Sequence, residues 1–170
     1  MILLVTVGST NFDCLIYAIL HSEFLNDLKN VGFDKIVLQY GNKINYKDLS
    51  NKLESFGEFE KIKITQIITK FVLKDFGVEI EIFSYIDTIS SYLQMSDLII
   101  SHSGAGTIME CLRIKKKIIA CVNNDLMDNH QLEFAQQLDI EQYLHFCSNF
   151  ENLIQSVKFC LNSKFKAFPQ

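Results

Sequence analysis

His102, Ser103, Gly104, Ala105, Gly106, Thr107 and Glu110 are the densest group of chemistry-bearing positions in the chain. Leu98-Ile99-Ile100 before them has the apolar character of a buried parallel strand. Ala105, Ile108, Met109 and Leu112 after them recur at i, i+3, i+4 and i+7, the spacing of a helix face. The order is therefore strand, glycine loop, helix. A helix that starts at the carboxyl edge of a parallel sheet offers unpaired backbone N–H groups and the positive end of its dipole, which suits an anion. Gly104 and Gly106 lack the Cβ atoms that would hold a phosphate away from the backbone, and Ser103 or Thr107 can cap the helix or bond a phosphate oxygen. Ser103, Gly106 or Thr107, and Glu110 fall on one helical face. A carboxylate one turn above a phosphate would repel it, so Glu110 is better matched to a neutral diol such as a ribose. A hydrogen bond to such a charged acceptor is worth about 1.5–3 kcal/mol. The ligand-free alternative is a plain tight connection, with Glu110 a surface carboxylate and His102 a satisfied loop histidine.

The elements that must carry this loop alternate along the chain. Ile2 to Val7 is a continuous apolar run ending in Gly8-Ser9-Thr10, so it reads as a central parallel strand followed by a second, simpler candidate loop for phosphate or substrate. Phe12, Leu15, Ile16, Ile19 and Leu20 follow helical spacing, with Thr10 or Asn11 as N-cap. Lys35 to Tyr40 is a strand closed by Gly41. Between Asn42 and Gly77 the pattern blurs: Leu49 and Leu53 suggest a short helix, Ile62 and Ile64 alternate like a strand, and Ile67 to Phe76 fits either. Val78 to Phe83 alternates as a strand, and Ile86, Ile89, Tyr92 and Leu93 make a short helix.

Beyond the glycine loop, Ile118 to Val122 is a further buried strand, and Asn123 to Asn129 a polar loop. A helix begins at His130, Tyr143 to Cys147 reads as a last strand, and Phe150, Leu153, Ile154, Val157 and Leu161 outline a terminal helix. No repeat or linker divides the chain, so the expected fold is a single α/β domain over residues 1–170, doubly wound on a mostly parallel, Rossmann-like sheet. In such a fold ligands bind outside the carboxyl ends of the strands. The loops expected to converge there are Gly8 to Thr10, Ser84-Tyr85-Ile86, His102 to Thr107, and Asn123 to Gln131.

Composition narrows the classes. A net charge of −4 and an isoelectric point near 5.5 argue against a nucleic-acid surface. The one basic cluster, Arg113 to Lys117, falls where the helix after the glycine loop should end, and cations there complement its dipole. Five cysteines, odd in number and without a CxxC pair, read as reduced thiols of a cytosolic protein. No metal-ligand spacing appears among them and the four histidines, so neither a metal nor a cofactor is expected. The apolar start, MILLVTV, lacks a basic flank and is too short for a signal peptide or a membrane span.

Four segments together carry a family resemblance: VTVGSTNFDCLI at 5–16, SYID at 84–87, SHSGAGTIMECL at 101–112 and MDNHQLEFAQQL at 127–138. They resemble the small cytosolic subunits of the UDP-N-acetylglucosamine transferase of asparagine-linked glycosylation and, more widely, the carboxyl half of GT-B glycosyltransferases. The resemblance runs over essentially the full chain. It implies that Glu110 holds the ribose hydroxyls of UDP, that His102 through Thr107 meet the diphosphate, and that Ile86, after Tyr85, reads the uracil edge through its backbone. It implies that Gln131, preceded by His130, contacts the donor sugar. One departure stands out: bacterial and plant relatives carry an Asn where this chain has Phe134, so that sugar contact is missing here.

The reaction implied is transfer of N-acetylglucosamine from UDP to the lipid-linked acceptor N-acetylglucosaminyl-diphosphodolichol, the second step of lipid-linked oligosaccharide assembly. A helix N-terminus, backbone N–H groups and Thr107 suit the departing charge of UDP. No residue stands out as general base for the acceptor hydroxyl. A complete GT-B site needs two Rossmann-like domains and 170 residues suit one. The acceptor site is therefore expected on a membrane-anchored partner subunit that recruits this chain to the cytosolic face of the endoplasmic reticulum. The terminal helix from Asn149 to Leu161 is either part of that contact or packed on its own sheet. A nucleotide-binding regulatory module without transferase activity and a UDP-sugar epimerase-like half domain are the other readings of the same residues.

Overall fold

The computed structural model describes residues 1–122 and 129–169, with the backbone alone at Asn129. Its strands are β1 (Ile2–Thr6), β2 (Lys35–Gln39), β3 (Phe59–Lys63), β4 (Thr69–Leu73), β5 (Val78–Phe83), β6 (Leu98–His102), β7 (Ile118–Cys121) and β8 (His145–Cys147). They form one sheet in the order β3-β4-β5-β2-β1-β6-β7-β8. The pairings from β5 through β8 are parallel, and β3 and β4 add an antiparallel hairpin beyond β5. Without that hairpin, the parallel strands run 3-2-1-4-5-6 in their own sequence order, the doubly wound arrangement expected from the sequence.

The helices lie on both faces because the strands are apolar on both. Leu3 and Val5 point into one cluster with Leu15, Ile19, Leu28, Leu49 and Val157. Leu4 points the other way, with Ile99, Leu93, Ile108 and Ala135. The first face is covered by α1 (Asp13–Ile19), α2 (Ser22–Asn30), α3 (Tyr46–Glu54) and α7 (Leu153–Asn162), and the second by α4 (Ser90–Met95), α5 (Ala105–Arg113) and α6 (Asn129–Ile140). Each fully buried Leu or Ile contributes about 1.5–3 kcal/mol to this two-sided core.

Several sequence expectations change here. α2 was not foreseen: Phe24, Leu25 and Leu28 give it a narrow buried stripe inside a polar stretch. The residue before α1 is Phe12, not Thr10 or Asn11, and no side chain caps that helix. Thr10 instead bonds back to the Val7 carbonyl through its N–H (3.1 Å) and Oγ1 (2.6 Å), closing the turn after β1. The ambiguous stretch 67–76 is strand in its centre, since Phe71 and Leu73 alternate inward against β5. Ile86 lies in the loop before α4, not in the helix. β8 is short, His145–Cys147, and the terminal helix opens with a 3-10 turn at Phe150–Asn152.

The two readings of the terminal helix resolve toward its own sheet on the inner side. Leu153, Val157 and Cys160 are buried in the first core cluster, and Phe150 meets Phe12 edge-on at 5.4 Å. Lys117 Nζ donates to the carbonyls of Cys160 (2.8 Å) and Leu161 (2.9 Å) at the carboxyl end of α7. Lys116 does the same for Gln94 and Ser96 at the end of α4. Two cations of the basic cluster thus serve helix termini as expected, but those of neighbouring helices. Among the described residues, no helix is long and apolar enough to cross a membrane.

Candidate functional site

β1 has β2 on one side and β6 on the other, and the chain leaves in opposite directions from these two pairs. The crevice at the carboxyl ends of β1 and β6 is the place where a doubly wound sheet opens for a ligand. The loop after β1 contains Gly8, Ser9 and Thr10, and the loop after β6 contains Ser103 and Gly104.

The His102 imidazole joins the two. Gly8 has φ +59, and a Cβ built there would lie 2.9 Å from His102 Cε1; a Cβ on Gly104 would lie 2.5 Å from His102 Nε2. A side chain on either glycine would run into the ring, so each position keeps space for it. Its Nδ1 is buried without a hydrogen-bond partner among the described residues. Burial holds the imidazole below the ordinary histidine range, and the nearby backbone of Thr6 opposes that shift without closing a well-formed bond. His102 is therefore a neutral spacer between loops, a role that the sequence does not announce. The space a side chain on Gly104 would take is already filled by His102. Around Gly106 the space is open, with nothing within 4 Å of a built Cβ, so the backbone there is free to be approached.

A buried polar pair supports the first loop. Thr6 Oγ1 donates to Gln39 Oε1 and accepts from the Gly8 N–H at 3.2 Å. Both side chains are almost fully buried at the ends of adjacent strands. Ser9 and Thr10 are exposed above them.

Ser103 does not cap α5 as expected: its Oγ donates to the Cys121 carbonyl at 3.0 Å and the residue is buried, so it ties the loop to β7. Gly104 is the residue before α5, and no side chain caps the helix. The first intrahelical bond runs from the Ile108 N–H to the Gly104 carbonyl (3.1 Å), which leaves the N–H groups of Ala105, Gly106 and Thr107 as the open end of the helix. Ala105 and Gly106 are exposed and Thr107 is half-buried.

Glu110 follows one turn later, half-buried, with Oε1 accepting from Ser90 Oγ at 2.5 Å. Ser90, the first residue of α4, went unnoticed in the sequence because a serine at a helix start is ordinary. Tyr85 is exposed at 44 % and Ile86 is half-buried against the second core cluster, both in the loop that leads from β5 to Ser90. The Gly41 N–H donates to the Ser84 carbonyl at 3.0 Å, which sets this loop against the end of β2. α6 returns the chain to β8, parallel to β7, so its first turn lies on the same edge, with His130 and Gln131 exposed. The polar segment expected from Asn123 onward lies outside the described residues as far as 128.

Comparison with known proteins gives the family. The Glycosyltransferase family 28 C-terminal domain matches residues 2–170. The chain belongs to that family. It is 39% identical to the UDP-N-acetylglucosamine transferase subunit ALG13 of Candida albicans over 86% of this chain, and spans 56% of that relative's length. It is 32% identical to the subunit of the same name from Saccharomyces cerevisiae, covering 98% of this chain and 88% of the relative. A solution structure of ALG13 superposes with a TM-score of 0.72 at 31% identity, over 99% of this chain and 89% of the other. The crystal structure of Acinetobacter baumannii MurG shares the fold, with a TM-score of 0.63 at 18% identity, over 94% of this chain and 41% of the MurG chain.

As a family 28 carboxyl-terminal domain, the chain has the Rossmann-like architecture of one half of a GT-B glycosyltransferase. Among the described residues, no group of three His, Cys, Asp or Glu side chains could hold a metal ion.

Proposed function

We propose that this chain is the donor-binding subunit of a two-chain glycosyltransferase that holds UDP-N-acetylglucosamine. With a membrane-anchored partner supplying the acceptor domain, it transfers N-acetylglucosamine to N-acetylglucosaminyl-diphosphodolichol at the cytosolic face of the endoplasmic reticulum. The observation that carries this reading is the pairing of an uncapped α5 amino end with a half-buried carboxylate, Glu110, one turn along, at the switch point of the sheet. Similarity to UDP-N-acetylglucosamine transferase subunits over nearly the whole chain supports it.

In this reading the N–H groups at Ala105 to Thr107, the Thr107 hydroxyl and the loop Gly8 to Thr10 meet the diphosphate. Glu110 accepts from the ribose hydroxyls, Tyr85 and the Ile86 backbone face uracil, and His130 and Gln131 face the sugar. During transfer the bond from the anomeric carbon to UDP breaks, its electron pair leaves with the diphosphate, and the acceptor hydroxyl oxygen bonds to that carbon. Fixed helix-end dipoles stabilise the charge that develops on the leaving diphosphate. The proton of the acceptor hydroxyl goes to a general base.

Titration calorimetry with UDP-N-acetylglucosamine, on this chain alone and with its membrane partner, tests the reading. The expected result is binding by this chain and sugar transfer only with the partner. Binding with no transfer in the complete pair would favour a nucleotide-binding regulatory module, and absence of UDP binding would remove both.

A further inference from the structure

We infer that Ser90 is a positioning residue for Glu110: its hydroxyl fixes the carboxylate that receives the ribose and ties it to the loop facing the base. The inference rests on the proposed ribose role of Glu110. A glutamate has three side-chain torsions, and without an anchor its oxygens sweep a wide volume. Here one oxygen is anchored, by the bond from Ser90 Oγ to Glu110 Oε1 across 20 residues of sequence. A carboxylate has about four acceptor positions, and among the described residues this is its one hydrogen bond, which leaves Oε2 and the second lone pair of Oε1 for the two hydroxyls of a diol.

The anchor is itself held firmly. Ile86, Ile89 and Tyr92, on either side of Ser90, pack on the same apolar cluster as Ile108 and Cys111 of α5. Tyr92 donates from its hydroxyl to Glu81 Oε1 on β5 at 2.7 Å, and Ser96 Oγ returns to the Tyr92 carbonyl at 2.6 Å. α4 is thus fastened to the strand that delivers Tyr85 and Ile86. The bond from Ser90 to Glu110 then sets the separation between the base end and the ribose end of the site.

The test measures UDP and 2′-deoxy-UDP affinity by calorimetry for the parent chain, Ser90→Ala, Ser90→Thr, Glu110→Ala and the double variant Ser90→Ala/Glu110→Ala, each checked for folding by circular dichroism. Ser90→Ala is expected to weaken UDP about five- to tenfold, to change 2′-deoxy-UDP much less, and to add nothing in the Glu110→Ala background. Ser90→Thr keeps the hydroxyl and should keep the affinity. Unchanged or tighter UDP binding by folded Ser90→Ala, beside a weakened Glu110→Ala, overturns the positioning role and leaves the ribose role standing. Additive losses in the double variant overturn it too. Unaltered UDP affinity in Glu110→Ala would instead remove the ribose role on which the inference rests.

Discussion

His102 Nε2 occupies the space that a side chain on Gly104 would need, since a Cβ there would come within 2.5 Å of it. A Cβ on Gly8 would meet the same ring, 2.9 Å from Cε1, so one imidazole limits what both the β1 and the β6 loop can carry. Gly104→Ala should therefore destabilise the fold by about 1–3 kcal/mol, the usual cost of overpacking. Gly106→Ala meets open space inside a helix and should leave stability unchanged or slightly raised. Urea denaturation of the two variants checks the contrast. Equal stability would mean that the ring moves aside freely.

The same imidazole predicts a pH dependence. Its folded pKa lies below the ordinary value of 6.5 because burial disfavours the cation. The unfolded chain therefore takes up the proton first as pH falls. Stability contributed by the neutral ring is complete above 6.5, declines below it, and levels off beneath the folded pKa. His145 is shifted the same way by burial, with Asp139 opposing, and adds to the slope. His102→Gln should lose its share of the slope that sets in as the pH falls below 6.5, measured as unfolding midpoint against pH. An identical slope in the variant would show that His102 is protonated at no cost.

Much of the frame was legible in the sequence because its strands are short apolar runs closed by glycine or polar residues, as at Val7-Gly8 and Tyr40-Gly41. The loop after β6 and the helix after it were legible for the same reason. What could not be read was which small residue serves which neighbour. A side chain on Gly104 would collide with His102, and Ser103, which reads as a cap, is a buried tie to β7. Those partners lie on other strands, and local spacing carries no record of them. α2 escaped because its buried stripe is only Phe24, Leu25 and Leu28 among polar residues.

Thr6 and Gln39 give a test of the loop's foundation. Thr6→Val keeps the shape but removes the hydroxyl that donates to Gln39 Oε1 and accepts from the Gly8 N–H. Gln39 is 2% exposed, so its oxygen is left buried and unpaired, and stability should fall by at least about 1–3 kcal/mol. Thr6→Ser keeps the hydroxyl and should lose only about 0.8 kcal/mol for the missing methyl. Thermal unfolding of both variants decides it; a Val variant as stable as the Ser variant would contradict the polar pair.

Glu110→Ala separates binding from folding. The side chain is half-buried and, among the described residues, its one hydrogen bond is with Ser90 Oγ, so the loss of stability should be about 1 kcal/mol or less. Loss of a charged acceptor for the ribose should weaken UDP by about 1.5–3 kcal/mol, roughly ten- to a hundredfold. Calorimetric titration beside a denaturation curve reads both quantities on one sample. A variant that binds UDP like the parent would refute the ribose role.

Truncation before α7 tests what the terminal helix does. Removal of residues 149–170 takes Leu153, Val157 and Cys160 out of the core and leaves Phe12 without the ring of Phe150. At about 1.5–3 kcal/mol for each large apolar side chain, the loss is comparable with the 5–15 kcal/mol that holds a domain of this kind. The truncated chain should therefore show no cooperative unfolding transition, and its failure to co-purify with a partner would say nothing about an interface. The outward face is the informative one. Gln155 and Lys158 are exposed, so Gln155→Ala and Lys158→Glu should leave the unfolding midpoint in place. If this face docks on the partner, the folded double variant should co-purify with the membrane subunit less well than the parent; retained co-purification would assign α7 to the core alone.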